Sequence, residues 1–361
     1  MCYYFLFEKE FSMIKDLFID RKKHLEELAN GLKHGKDYIL IAPRRFGKTT
    51  LAHEILNKIA NDSKFIVVSI DFMRYSGSVQ SIAEAIIENT LNALGIVGKI
   101  KLWIQQIEFS LKIKMKYADL EIEPMIQMIK NKNNEWALLE HALEFLETAA
   151  IKSNKHVVVF FDEFGELHSA DERIIKTFRS ILQLHKHVSC LFAGSQETLM
   201  AKIFVDQSGI FYRFGNLVWL KEFERGEVIE LLEGMKLDFT TIDTIINTFN
   251  CHPYYTSRII KDIMLQPIYG TSVENLENYI NQVLIPEENA YLELQTEKIK
   301  ARSNALDIFT NIALGIDPYS LGLSKQVVYN TLRNLEVSGF IRKLDKSKYM
   351  VTDPLLKLYF N

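Results

Sequence analysis

The sequence predicts an α/β protein in which a parallel sheet lies between two layers of helices and is followed by a largely helical region. Short apolar segments rich in branched residues alternate with amphipathic segments of helical period up to about residue 221. This alternation is typical of a parallel sheet that is buried on both faces. After Glu222 the pattern is helical as far as residue 300. Two regions of different architecture are therefore expected.

The first region carries five predicted strands and the helices between them. The strands are Tyr38–Ala42, Phe65–Asp71, His156–Phe161, Val188–Ala193 and the short Val218–Leu220. The helices are Asp20–Lys33, Lys48–Ala60, Ser78–Leu94, Asn134–Ile151 and Asp171–His185. Residues 99–134 break the pattern. Apolar and polar residues alternate in Phe109–Lys116 and in Leu120–Glu123, which predicts an exposed hairpin inserted into the first region.

The region after residue 222 divides again near residue 300. Its predicted helices are Glu224–Met235, Thr241–Phe249, Thr256–Met264 and Val273–Glu297. The last 60 residues have a helical pattern up to Ser338, and two short strands are predicted after it, on either side of the polar turn Asp345–Ser347. We therefore predict a core at 1–221, a helical lid at 222–300 and a C-terminal domain at 301–361.

Composition excludes several classes of protein. Hydrophobic residues make up 48% of the 361 residues, and 16 Gly and 7 Pro are few for this length, which favours a globular chain with long helices. The formal net charge of −3 argues against a protein that is basic throughout and binds polyanions. The three cysteines have no Cys-x-x-Cys spacing, so we expect neither a disulfide framework nor a zinc site: Cys2, Cys190 and Cys251.

We expect a cytoplasmic protein without a membrane anchor. No apolar run approaches the length of about 18–20 residues that a membrane span needs. The apolar segment at the beginning of the chain lacks the basic leader of a signal peptide. Met1 and Met13 are both candidate start residues, because organised sequence begins near Leu17.

The segment after the first predicted strand has the pattern of a phosphate-binding loop. The pattern is Gly, four residues, then Gly-Lys-Ser/Thr between a strand and a helix, and here only the first Gly is replaced, by Ala42. Backbone N–H groups at a helix N-terminus favour anions. In such loops Lys48 would contact the β- and γ-phosphate oxygens, and Thr49 would ligate Mg²⁺. The predicted nucleotide-binding loop is Ala42, Pro43, Arg44, Arg45, Phe46, Gly47, Lys48, Thr49 and Thr50.

A second signal follows the most apolar predicted strand. Asp162 and Glu163 come directly after five apolar residues, at the edge where ligands bind in an open parallel sheet. Asp162 is predicted to hold Mg²⁺, and Glu163 to polarise the attacking water. The two signals together predict an ATPase of the phosphate-loop class.

A third signal follows the strand Val188–Ala193. Gly194, Ser195 and Gln196 succeed it, and a polar side chain there would lie near the γ-phosphate. Ser195 is the first candidate for this role and Gln196 the second. An ordinary turn after a strand is the alternative interpretation.

With these motifs in place, the chain resembles the archaeal-type ATPases of the STAND branch of the AAA+ superfamily. Ala42–Thr50 resembles the Gly-Pro-Arg-Arg-x-Gly-Lys-Thr/Ser loop of that family, and Phe161–Phe164 resembles its second ATPase motif. Phe18–Leu25 is similar to its opening segment, and Phe211–Phe214 to the segment that carries its Arg. The resemblance extends from about Leu17 to the C-terminus.

The resemblance implies more than the residues alone do. It implies a sheet of order 5-1-4-3-2, a helical lid and a C-terminal winged helix. Ile19 would lie against the adenine, and Pro253 would lie in the lid turn, where Asn250-Cys251 stands in place of the usual Gly-Gly. Arg213 would face a γ-phosphate, either in the same subunit or across a subunit boundary; an ordinary surface arginine is the alternative.

Three functions stay open at this point. The first is an ATP-dependent conformational switch, with the winged helix as a regulatory or partner-binding module. The second is a DNA-acting ATPase, and the third is a nucleotide-binding scaffold without turnover, which the pairing of Asp162 with Glu163 disfavours. The expected ligands are ATP, ADP and Mg²⁺; a protein partner, DNA and an oligomer are left open. Candidate DNA contacts are Lys325, Gln326, Tyr329, Asn330, Arg333, Asn334, Arg342, Lys343, Lys346 and Lys348.

Overall fold

The structure is a computed structural model that describes residues 21–75, 78–95, 134–194, 197–345 and 348–360. Within this part the chain divides into two compact units, Arg21–Lys221 and the residues from 222 onward. Each unit has its own hydrophobic core. The hairpin predicted within 99–134 lies outside the described residues, apart from Asn134, which caps a helix. The predicted domain boundaries stay predictions.

The first unit alternates strands and helices. Its strands are β1 Tyr38–Ile41, β2 Phe65–Asp71, β3 His156–Asp162, β4 Val188–Gly194 and β5 Asn216–Trp219. Its helices are α1 Lys22–Lys33, α2 Lys48–Ala60, α3 Val79–Ala93, α4 Glu135–Ser153, α5 Gly165–Ala170, α6 Glu172–Leu182 and α7 Glu197–Phe204. A 3-10 turn at Phe72–Arg74 follows β2. Two short helices, α5 and α7, were not predicted from the sequence.

The five strands form one parallel sheet in the order β2-β3-β4-β1-β5. This is the predicted order 5-1-4-3-2 counted from the other edge, and the parallel α/β fold is confirmed. In the register, Ile41 lies beside Gly194 and Asp71 lies beside Asp162. The carboxyl ends of β1, β2, β3 and β4 therefore meet at one edge of the sheet.

Burial explains why the central strands have continuous apolar sequences. All residues of β4 are buried, and β3 is buried from Val157 to Asp162. Helices cover both faces of a sheet of this kind, so side chains on either face are shielded from solvent. Asp162 is the one charged residue in β3 and β4, and it lies at the carboxyl end of β3.

A partly buried carboxylate lies at the opposite edge of the sheet. Asp37 precedes β1 and accepts a hydrogen bond from the backbone N–H of Cys190, at 2.7 Å. Burial raises the pKa of Asp37 from 3.8 to about 6, although the Cys190 hydrogen bond and the charge of Arg179 oppose the shift. The folded protein therefore keeps this proton up to about pH 6, whereas the unfolded chain loses it near pH 3.8.

We expect Asp37→Asn to stabilise the protein at alkaline pH. Because the folded state binds the extra proton, stability falls as pH rises from about 4 to 6, and the full cost of the buried charge persists above that range. The amide removes this cost and keeps an acceptor for Cys190, so the gain at pH 8 is about 1–3 kcal/mol. Urea unfolding at pH 8 and at pH 4 measures it. A gain of equal size at both pH values would contradict this explanation.

The second unit is mostly helical. Its helices are α8 Arg225–Gly234, α9 Phe239–Phe249, α10 Pro253–Leu265, α11 Val273–Tyr279, α12 Ile285–Lys300, α13 Ala305–Ala313, α14 Lys325–Val337 and α15 Pro354–Tyr359. Its strands β6 Ile341–Asp345 and β7 Lys348–Val351 pair antiparallel. Two 3-10 turns, Pro267–Gly270 and Pro318–Leu321, complete it. The order helix, turn, helix and hairpin from α13 to β7 is that of a winged helix, and this assignment stays a prediction.

One hydrophobic core extends through the whole second unit. It includes Leu276 and Leu292 from the predicted lid, and Phe309 and Leu332 from the predicted C-terminal domain. The stretch predicted as helical, Val273–Glu297, is helical as far as Lys300, and a π turn at Ile280–Leu284 within it separates α11 from α12. Pro286 follows this turn; it has no N–H group, and its ring conflicts with the carbonyl one turn earlier, which favours wider local winding.

Among the described helices, none combines the length and the apolar character that crossing a membrane requires.

Candidate nucleotide-binding site

The loop between β1 and α2 has the backbone that an anion site needs. Gly47 caps the N-terminus of α2 with a φ of 79°, a conformation that costs glycine little. Arg45 also has a positive φ, of 67°. These two left-handed residues turn the chain back before α2 begins. The N–H groups of the first helical turn follow this loop directly, and a helix N-terminus in this position favours an anion.

Lys48 is held inside this loop. Its ammonium group donates hydrogen bonds to the carbonyl oxygens of Ala42 and Pro43, at 2.7 and 2.8 Å. Only 6% of the residue is exposed. The positive charge is therefore fixed beneath the loop, where an anion bound to the helix N-terminus would meet it.

The predicted metal ligands lie next to each other. The hydroxyl of Thr49, in the first turn of α2, donates a hydrogen bond of 2.9 Å to Oδ2 of Asp162 at the end of β3. A hydroxyl and a carboxylate beside an anion-binding loop are the protein donors that Mg²⁺ takes together with phosphate oxygens. The two residues present therefore fit a Mg²⁺ ion that arrives with a nucleotide.

The carboxylate of Asp162 lies in a poorly solvated position. Burial raises its pKa above the ordinary value, and the charges of Glu163 and Asp71 raise it further. The hydrogen bonds from Thr49 and from the backbone N–H of Glu163 oppose this shift. A cation bound beside Asp162 would offset the cost of its charge.

Glu163 follows Asp162 in an uncommon backbone conformation. Its φ is 50°, in the left-handed region. Its backbone N–H donates to Oδ1 of Asp162 at 3.0 Å, and the N–H of the next residue, Phe164, donates to the carbonyl of Ala193 in β4 at 2.9 Å. The chain thus turns sharply at Glu163, directly beside the predicted metal ligand.

The comparisons with known proteins agree with this geometry. The sequence profile of an ATPase domain found predominantly in Archaea matches residues 18–248. The chain belongs to this archaeal ATPase family. The resemblance noted in the sequence is confirmed at this level, whereas membership of the STAND branch stays a prediction.

Solved structures share the fold of this archaeal ATPase across most of its length. A Walker-type ATPase of Pyrococcus abyssi is 17% identical, with a TM-score of 0.63 over 95% of this chain and 96% of that one. The ORC2 protein of Aeropyrum pernix, solved in complexes with ADPNP and ADP, is 14% identical, with a TM-score of 0.55 over 94% and 92%. No curated protein matches the sequence. The chain therefore shares its fold with these ATPase structures, in agreement with the family match.

Of the remaining predicted site residues of this archaeal ATPase, the structure describes some and not others. Ile19 and Ser195 lie outside the described residues. The strand predicted to deliver Ser195, β4, does lie between β1 and β3. Pro253 begins α10 in the second unit, and its contact with a nucleotide stays a prediction. Arg44, Phe46 and Thr50 lie in or directly after the loop, as the sequence predicts.

Arg213 is distant in sequence from the charged residues of the phosphate loop and from Asp162 and Glu163. It comes three residues before β5, and the first residue of β5, Asn216, pairs with Tyr38 at the start of β1. The backbone there is at the amino edge of the sheet, opposite the edge that carries the phosphate loop. The guanidinium of Arg213 lies 5.2 Å from the ring centre of Tyr212.

Sequence reasoning missed one carboxylate at the site. Asp71 ends β2 and is paired with Asp162 in the register. It accepts a hydrogen bond from the N–H of Met73 and forms an ion pair of 3.2 Å with Arg74. The signal was an acidic residue at the end of an apolar strand, the same signal that identified Asp162.

Proposed function

We propose that this protein binds Mg-ATP and hydrolyses it to ADP and phosphate. The observation that carries the proposal is the hydrogen bond between Thr49 and Asp162, which joins the phosphate loop to the carboxylate of the neighbouring motif. Family membership supports the same activity. Phosphate release by the intact chain, measured with Mg²⁺ and again with excess EDTA, tests the proposal, and EDTA is expected to abolish it.

Each residue of the site has a separate task. The N–H groups at the start of α2 hold phosphate oxygens, and Lys48 contributes a fixed positive charge below them. Thr49 and Asp162 would hold Mg²⁺, and the ion would supply positive charge against the charge that develops on the phosphates. Glu163 accepts a proton from the attacking water, a role that suits a carboxylate placed directly after Asp162 at the carboxyl edge of the sheet.

We further propose that nucleotide binding switches the second unit between conformations. The hydroxyl of Tyr255 in α10 lies 2.9 and 3.0 Å from the two carboxylate oxygens of Asp353 and donates one shared hydrogen bond to them, and Tyr291 of α12 donates another of 2.8 Å. Asp353 also caps α15 through the N–H groups of Leu355 and Leu356. A movement that begins at Pro253, two residues before Tyr255, would therefore reach the end of the chain. This supports a C-terminal module that regulates the ATPase or binds a protein partner.

The exposed face of α14 supports DNA binding as the second candidate function. Lys325, Tyr329 and Arg333 are exposed on one helix, as a winged helix reading a groove would need. Arg342 of the hairpin, however, forms an ion pair of 3.1 Å with Glu222, which leaves less charge for phosphates. Titration of the intact chain with duplex DNA at two salt concentrations separates the candidates, because phosphate contacts weaken steeply with salt.

We expect Arg213→Ala to slow ATP hydrolysis at least about tenfold while ATP affinity stays nearly unchanged, because an arginine finger acts on the transition state. Its position at the amino edge favours action on the nucleotide of a neighbouring subunit. Arg213→Ala mixed with Lys48→Ala should then regain turnover, since one variant supplies the nucleotide site and the other the arginine.

Arg173→Ala is the matched control for Arg213→Ala. Arg173 stacks on Trp136, 4.0 Å from the ring centre, in the same unit. Single-turnover assays of each variant and of the mixture measure the rates of ATP hydrolysis. Unchanged hydrolysis by Arg213→Ala would remove this residue from the reaction.

A further inference from the structure

Glu163 and Arg213, two of the charged residues proposed to act in hydrolysis, share an uncommon backbone conformation. Their φ angles are 50° and 58°, both in the left-handed region that residues with side chains seldom adopt. Such conformations persist where the surrounding structure fixes them. Each of the two residues is followed directly by a phenylalanine, Phe164 after Glu163 and Phe214 after Arg213.

Both phenylalanines belong to one group of rings, which we name the phenylalanine cluster: Phe164, Phe192, Phe204, Phe211 and Phe214. Phe164 contacts Phe211 with ring centres 5.4 Å apart, and Phe211 contacts Phe214 at 4.9 Å. Phe192 contacts all three of these rings, at 4.8, 5.5 and 5.6 Å. The pairs are tilted or edge-to-face, which are the favoured geometries of aromatic contact.

The turn that carries Arg213 is also held by contacts other than those between the rings of the phenylalanine cluster. The N–H of Phe214 donates to the carbonyl of Phe211 at 3.0 Å, and the N–H of Phe211 donates to the carbonyl of Ile203 at 3.0 Å. The guanidinium of Arg179 lies over the ring of Phe214, 4.9 Å from its centre. The turn is thus packed between α7, α6 and the rings.

We infer that Phe164 and Phe214 are positioning residues, which hold Glu163 and Arg213 in their left-handed conformations, and that Phe211 couples the two. The inference rests on the proposed ATP hydrolysis. Phe164 and Phe211 are fully buried, and closely packed interiors shift between discrete arrangements rather than deform smoothly. A shift of Glu163 on nucleotide binding therefore moves Phe164, and through Phe211 it moves the turn that carries Arg213.

The first test separates positioning from simple packing. Phe164→Leu should lower the single-turnover hydrolysis rate about 10–100-fold, as expected when a reacting group is misplaced by a fraction of an ångström to an ångström. ATP affinity should change less than about threefold, because the phosphate loop is intact. The matched control is Phe160→Leu. Phe160 is also fully buried in β3, but its ring contacts His53, at 6.0 Å.

The second test measures coupling by hydrogen exchange with a non-hydrolysable ATP analogue. In the wild type, exchange should change at residues 42–50 and also at 209–215; in Phe211→Leu it should change at 42–50 alone. The inference is overturned if the wild type shows no change at 209–215 or if the variant keeps it. It is equally overturned if Phe160→Leu loses as much hydrolysis as Phe164→Leu. No change at 42–50 in the wild type would instead contradict the proposed nucleotide binding itself.

Discussion

Replacing Lys48 by Ala should raise the Kd of Mg-ATP by about 100-fold or more. The ammonium group is the buried cation of the phosphate loop, and hydrogen bonds from a charged group contribute about 1.5–3 kcal/mol each, where 1.4 kcal/mol is a factor of ten. Its removal also takes away the hydrogen bonds to the carbonyls of Ala42 and Pro43, so the conformation of the loop is less well fixed. Isothermal titration calorimetry with Mg-ATP measures the change.

Lys58→Ala is the matched control for Lys48→Ala. Lys58 lies in the last turn of the same helix, α2, and pairs with Glu26 on the surface. It should leave the Kd unchanged. Equal affinity of Lys48→Ala and Lys58→Ala, with both variants folded by circular dichroism, would remove this loop from the nucleotide site.

The variant Glu163→Gln should still bind Mg-ATP but hydrolyse it about 10²–10⁴-fold more slowly. The amide keeps the size and the polar contacts of the side chain, but it cannot accept a proton from the attacking water. A rapid-quench single-turnover assay at saturating nucleotide measures the rate, and calorimetry measures binding.

A surface carboxylate provides the comparison for Glu163→Gln. Glu172 begins α6 and pairs with Lys176 at 2.7 Å, and Glu172→Gln should hydrolyse ATP at the wild-type rate. Hydrolysis by Glu163→Gln at the rate of this control, with binding intact, would assign the proton transfer to another group.

The nucleotide loop could be predicted because its determinants are local. Gly47, Lys48 and Thr49 are consecutive, and a strand before them and a helix after them are visible as apolar patterns. The contact between Thr49 and Asp162 also follows from the sequence, since parallel strands bring their carboxyl ends to one edge. The order of the five strands came from the family resemblance rather than from the residues, because strand pairing depends on contacts distant in sequence.

The phenylalanine cluster could not be predicted, because its members are apolar residues that sequence alone cannot group. Phe164, Phe192 and Phe211 come from a turn, a strand and a loop, and only the folded chain brings their rings together. The left-handed backbone of Glu163 is likewise a result of packing. Asp37 has the sequence pattern of a polar residue in a turn before a strand, and its burial depends on Cys190 from another strand.

ATP hydrolysis at this site is tested most directly by phosphate release in a single turnover, with wild-type protein saturated with Mg-ATP and Glu163→Gln measured alongside. We predict that both proteins bind Mg-ATP with similar affinity and that only the wild type releases phosphate at an appreciable rate. Bound Mg-ATP that the wild type leaves intact would contradict hydrolysis as the function of this site.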